Sequence, residues 1–270
     1  MRSFSFRRIA LWGALLPCLL WAQLPERGVV RHATWAAVGR ARVLDTYLSP
    51  QEYAGPSFGL VHFTDRRARW GRGRVSVQGL YTGHVACLGT SSVDGREWEA
   101  LLSGAVAWHY NWFLARGLRL GVGPMAELAT GVTYNARNGN NPAQGRLDAA
   151  VGLSAVAGWR FRLWRRPFSC LLRADVPLVG AMFTPAYGQS YYEIFTLGHY
   201  DRNVRATHPF NAPSARLLAA LRIPVAGATL SLGYLGDVRQ ADVAHLKRHL
   251  WNHQFMIGYE RTLRLLRPRR

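Results

Sequence analysis

The chain has 270 residues, of which 49% are hydrophobic and 18% charged, with 34 Lys and Arg against 15 Asp and Glu and a formal net charge of +19. Three cysteines are too few for a disulfide scaffold. No Cys and His spacing suits a metal ion, and no apolar run after residue 23 reaches the roughly 20 residues of a membrane-spanning helix.

The amino end predicts export. Arg2, Arg7 and Arg8 precede the apolar run from Ile9 to Ala22, an order of basic, apolar and small residues that reads as a signal peptide over 1–22. The mature domain then spans 23–270. Cys18 stands where a lipidated cysteine would, but Pro17 occupies a position that wants a small residue. Export sets aside the nucleic-acid partner that the basic charge invites. The basic residues, almost all Arg with Lys247 the only lysine, gather in short connections. They predict a solvated rim, with acidic lipid headgroups as the sharper partner.

Beyond the leader the chain alternates with a period of two, the signature of extended strands whose successive side chains point to opposite sides. Segments near 28–44 and 58–69 come first. From 74 to 88, Val75, Val77, Tyr81, Val85 and Cys87 oppose Arg74, Ser76, Gln78, Thr82 and His84. From 98 to 112, Trp98, Leu102, Val106, Trp108 and Trp112 oppose Glu99, Ser103, His109 and Asn111. The stretch 118–134 follows the same rule, and in 147–161 Leu147 to Phe161 keep one apolar face unbroken. Four more segments lie near 168–183, 214–223, 228–239 and 247–263, which makes about ten strands (eight to twelve).

The connections alternate as well. Short ones fall near 70–73, 114–117, 163–167 and 224–227, and long ones near 45–57, 89–97, 135–145, 184–213 and 240–246. Tight turns at one end and long loops at the other are the pattern of an outer-membrane barrel. Alternating strands this long need something apolar against their outer face, and lipid supplies it. In a bilayer every backbone polar group must be satisfied, so the strands must close. Trp98, Trp112, Tyr134, Trp159 and Trp251 near segment ends suit the aromatic girdles of such a barrel. The expected fold is all-β, a closed antiparallel transmembrane β-barrel of meander topology. A soluble periplasmic sandwich or lipocalin-like barrel would alternate in the same way.

The stretches "RVLDTYLSPQEYAGP" (42–56), "RVSVQ" (74–78), "YNARNGNNPAQ" (134–144), "PLVGAMFTPAYGQSYYEIF" (177–195) and "DVRQADVAHLKRH" (237–249) resemble a domain-of-unknown-function family of outer-membrane barrel proteins from Bacteroidetes. The resemblance covers the mature chain. It implies an outer-membrane barrel with lipid as its surroundings and carries no activity, catalytic residue or cofactor.

A barrel of this width is filled by side chains rather than water. Arg119, Glu127, Asp148, Arg160, Arg173 and Asp175 are expected to form a paired lumen network. Ser103, His84 and Glu99 are weak candidates for a nucleophile, base and orienting acid, which a lipid-acting hydrolase of lipase or lipid A modifying type would need. Known patterns of that kind place His and Ser two apart on one strand, and no His-x-Ser occurs here. The aromatic segment 184–213 is the candidate lid or contact surface. Tyr187, Gln189, Tyr191, Tyr192, Glu193 and His199 are its candidate contacts, with Asp45 and Tyr47 beside them. No cofactor is implied. The expected role is that of a non-enzymatic envelope protein, or narrow, gated handling of a small ligand at the cell surface, with an envelope protein as a further partner.

Overall fold

The structure is a computed structural model that describes residues 25–264, apart from 27, 92–93, 115–116, 165, 201 and 226–227. The leader reading, with Cys18, lies outside the described residues.

Among the described residues eleven strands, a 3-10 turn at Gly71–Gly73 and one short α-helix follow each other. The strands and the α-helix are β1 (Val29–Asp45), β2 (Ser49–Arg67), β3 (Val75–Gly89), β4 (Arg96–Phe113), β5 (Leu118–Asn135), β6 (Ala143–Leu163), β7 (Arg166–Phe183), α1 (Tyr191–Phe195), β8 (Val204–Thr207), β9 (Ser214–Val225), β10 (Ala228–Val243) and β11 (Leu246–Arg264). Ten of them close antiparallel in chain order, with β9 following β7 and β11 returning to β1. Closure is sealed by the ladder from Val29↔Arg264 to Asp45↔Arg248. The short β8 lies outside this circuit and pairs only with the loop end of β7, from Gly180↔Thr207 to Phe183↔Val204.

The alternation divides the two faces as an inside-out protein requires. Phe58, Leu60, Val85, Leu102, Leu128, Val151, Leu153, Phe255 and Ile257 stand exposed on the outer wall, whereas Asp65, Gln78, Glu99, His109, Asn111 and Arg173 are buried in the lumen. Trp108, Tyr110, Trp112, Trp159 and Phe161 ring the end that holds the termini, and Trp98, Tyr134 and Trp251 ring the other. The two described cysteines, Cys87 and Cys170, are free and share the apolar phase of their strands.

Two connections expected to be long are not. The stretch 45–57 shrinks to the turn at residues 46–48, because β2 already begins at Ser49 and keeps its alternation beyond the apolar band. Likewise 240–246 reduces to a two-residue turn at Ala244 and His245, whose φ angles of 57° and 63° give the left-handed geometry that matches strand twist in tight hairpins. Neither residue is Gly or Asn, so the turn carries no compositional mark. The connections 90–95 and 136–142 remain loops at the expected places, and 184–213, the longest of the connections between described strands, contains α1 and β8, which period-two reading does not detect.

The wall is uneven. β7 carries a register shift opposite Val151 and Gly152, where Val179 and Pro177 are partners and the phase of the strand reverses. Its ladder with β9 runs only from Ser169↔Arg222 to Asp175↔Arg216. Beyond Ser169, Pro167 on β7 and Pro224 on β9 offer no N–H to continue it.

Candidate functional site

The lumen is packed in layers. An apolar belt contains Ala33, Trp35, Val61, Phe63, Leu80, Leu218 and Met256, and Trp35, Phe63, Leu80 and Leu218 are fully enclosed. Charged layers lie around it. Nearest the loop end, Arg146 pairs with Glu99 at 3.2 Å and with Asp45 at 4.0 Å, and Arg248 pairs with Asp148 at 2.9 Å. Thr133 donates to Glu99 at 2.5 Å and Asn135 to Glu97 at 3.0 Å. Deeper, Glu127 receives both Arg216 and Arg239, which also share Asp237. Towards the termini Arg173 pairs with Asp175 at 2.9 Å, Ser154 donates to the same carboxylate at 2.5 Å, and Arg119 meets Asp65 at 3.3 Å.

Among the described residues nine acidic side chains therefore face inward, each beside arginine or an uncharged donor. Such pairing is what makes buried charge tolerable. Of the six residues read from the sequence, Arg119, Glu127, Asp148, Arg173 and Asp175 are each ion-paired in these layers. Arg160 lies lower, at the termini end, on the wall of a cavity. The reading missed Asp65, Arg146, Arg216, Asp237, Arg239 and Arg248. The available signal was a charge in the inward phase of an apolar strand, as at Arg216 beside Leu218 and Ala220.

Ser103, His84 and Glu99 share the lumen face, but their hydrogen bonds lead apart. His84 stands opposite Leu101 and so diagonal to both others. The Ser103 hydroxyl bonds Thr82 at 2.8 Å, Glu99 is held by Thr133 and Arg146, and the His84 Nε2 is buried with no hydrogen-bond partner. In this arrangement no hydrogen bond joins the base to the nucleophile. Among the described residues no cluster of His, Cys, Asp and Glu is arranged to hold a metal ion.

The segment 184–213 folds over the loop end. Ser190 caps α1, accepting from the Glu193 N–H at 3.2 Å, while the Glu193 carboxylate accepts from the Ser190 N–H at 2.6 Å. The Ser190 N–H and the Ser190 hydroxyl, which donates to the same carboxylate at 3.0 Å, hold the Glu193 carboxyl below the usual glutamate range. Tyr191 reaches into the mouth, where its hydroxyl donates to Gln144 at 3.1 Å and accepts from the Gly145 N–H at 2.6 Å. Tyr47, on the neighbouring turn, donates to the Gln189 carbonyl at 3.0 Å and meets Tyr191 edge-on. Burial, followed by the nearby Tyr191, Asp45 and Glu193, pushes the Tyr47 hydroxyl up to about 12.

Gln189 ties the segment internally, to the His199 carbonyl, the Ala186 N–H and Asn203. Tyr187, Tyr192 and His199 remain exposed. Asp45 corrects its expected place: it is the last residue of β1, falls in the inward phase and is buried beside Arg146, so it is a lumen acid and not a surface contact.

A closed antiparallel barrel with an apolar wall, a polar lumen and a capped loop end is an outer-membrane-type β-barrel. Within that class the chain belongs to the family described as "Protein of unknown function (DUF3316)", whose model matches residues 22–270. No curated protein matches the sequence. Among solved structures it is similar to the transport unit of the autotransporter AIDA-I from Escherichia coli, with 9% identity over 94% of this chain and 96% of that one and a TM-score of 0.41. It is also similar to the β domain of the Bordetella autotransporter BrkA, with 16% identity, 85% and 98% coverage and a TM-score of 0.33. The attachment invasion locus protein Ail of Yersinia pestis, solved with the heparin analogue sucrose octasulfate, gives 11% identity, 87% and 100% coverage and a TM-score of 0.26.

Proposed function

We propose that this chain is a closed, non-enzymatic barrel of the outer membrane that does not conduct and that meets its surroundings through the capped loop end. The observation that carries this reading is the filled lumen: the belt around Trp35, Phe63, Leu80 and Leu218 lies between layers of arginine and carboxylate that neutralise each other. A route for ions would need these layers to separate, leaving buried charges without partners. The basic, apolar and small order of residues 1–22 supports export, and the apolar outer wall supports lipid as its environment. The diverging hydrogen bonds of Ser103, His84 and Glu99 support a role without hydrolysis. The exposed aromatics of the cap, Tyr187 and Tyr192 among them, are the surface on which an envelope partner or small ligand would rest.

Single-channel recording of the refolded protein in planar bilayers tests this, with and without residues 184–213. Insertion with no steady conductance in either form is the expected result. Steady conductance in the whole protein overturns the closed reading. Conductance only after removal of the segment replaces it with a gated pore.

A further inference from the structure

At the termini end, below the ladder of β7 and β9, a cavity of about 350 Å³ opens where Pro167 and Pro224 interrupt the pairing. Its wall holds Arg31, Arg160, Arg162 and Arg222 with a single carboxylate, Glu260. A smaller recess beside it shares Arg31, Arg160 and Arg222 and adds Arg119. Among the described residues lining the two, arginines outnumber acids. Glu260 lies 2.6 Å from the Arg222 Nε as an ion pair and Asp65 takes Arg119, and Arg160 faces the like charges of Arg222 and Arg119 as well as the opposite charges of Glu260 and Asp65.

Arg222 carries the second observation. It is only 8% exposed, and its Nε and Nη2 are buried without a hydrogen-bond partner; nitrogens of Arg146, Arg173, Arg216 and Arg248 are too, but Arg222 is the one of these that lines this cavity. A buried guanidinium nitrogen without an acceptor is costly, and a planar donor fork matches the paired oxygens of phosphoryl and carboxylate groups. The outer rim is formed by Phe161 and Phe168, which stack at 5.7 Å on the lipid side of the wall. Arginines within and aromatics at the lipid edge match an anion carried on an apolar chain.

The geometry points to a binding site for a phosphoryl oxyanion in this cavity, with Arg160 and Arg222 as its principal donors and Arg31 beside them. The phosphate of an acidic lipid headgroup and free inorganic phosphate share that chemistry. In outer-membrane barrels the termini end faces the periplasm, so the lipid source would be the inner leaflet. The lipid arm rests on the membrane reading above; the free-phosphate arm, measured in detergent, does not.

The test uses the refolded protein and three variants: Arg160→Gln, Arg222→Gln and, as a charge-matched control at the same end, Arg72→Gln, whose residue is exposed and outside the cavity. Native mass spectrometry reads retention of phosphatidylglycerol against phosphatidylcholine from mixed micelles. Thermal unfolding in detergent, with chloride at matched ionic strength as reference, reads protection by inorganic phosphate alone.

The site predicts that the parent and Arg72→Gln retain phosphatidylglycerol about tenfold over phosphatidylcholine and that the two cavity variants lose that preference. Protection by inorganic phosphate that disappears in the cavity variants supports the site with a free anion as its source. Three outcomes overturn the proposal: no preference and no protection in the parent, equal loss in Arg72→Gln, or unchanged binding in both cavity variants. Arg160→Gln alters an exposed side chain, so it keeps the test decisive if Arg222→Gln fails to fold.

Discussion

Glu127 on β5 receives Arg239 on β10 across the lumen, and the same carboxylate oxygen also receives Arg216 on β9. β5 neighbours neither β9 nor β10 in the wall, so one acid joins distant sides of the barrel. Asp237 completes the group by meeting both arginines from the β10 side.

Replacing Glu127 by Gln keeps the shape and removes the charge that two enclosed arginines share. The expected loss is about 3–5 kcal/mol of stability, the usual result of breaking a buried ion pair from one side. The urea midpoint of the refolded protein reads it. Exchanging Glu127 and Arg239 together for Gln and Met should recover part of the loss, since a matched pair is then removed.

Tyr47→Phe deletes one hydrogen bond, from the hydroxyl to the Gln189 carbonyl, and leaves the edge-on packing against Tyr191. A net cost of about 1 kcal/mol is expected. Amides of residues 189–199 should then exchange about fivefold faster by local opening, while those of β1 and β11 should not change.

The cap has a definite pH dependence. The folded Glu193 carboxyl lies below its ordinary value because the Ser190 N–H and hydroxyl bond its charged form. Its stabilisation is therefore complete above the ordinary glutamate value of about 4.3 and is lost as pH falls through the lower, folded value. Limited proteolysis of 184–213 should accelerate across that acid window. Glu193→Gln retains a side-chain acceptor and should flatten the dependence, whereas Glu193→Ala should open the segment at every pH.

The seam between β7 and β9 should be the weakest line in the wall. Hydrogen exchange should reach the amides of Ser169–Asp175 that bond β9 before those of the Val29–Asp45 ladder with β11, because the short ladder frays from both ends. Equal protection along the two seams would contradict this.

Much of this architecture is legible in the chain. Side-chain direction in a strand repeats every two residues, so Val85 against His84, or Leu102 against Ser103, already separates wall from lumen. Periodicity fails where the backbone departs from a regular strand. The register shift at Pro177 reverses the phase of β7, and α1 and β8 lie within a segment with no period of two. The turn at Ala244 and His245 was invisible for another reason: tight pairing of β10 and β11 imposes left-handed angles on residues that do not themselves prefer them.

The sequence by itself determined the class of fold, the division of each strand into an apolar and a polar face, and the inward position of Arg119, Glu127, Asp148, Arg173 and Asp175. Only the tertiary structure decided which charges meet. Closure places Glu127 beside Arg216 and Arg239, and strand stagger sets Arg222 against Glu260 at a break in the wall. Alternation is a local property of the extended backbone, whereas partners across a lumen depend on strand number and register around the whole circuit.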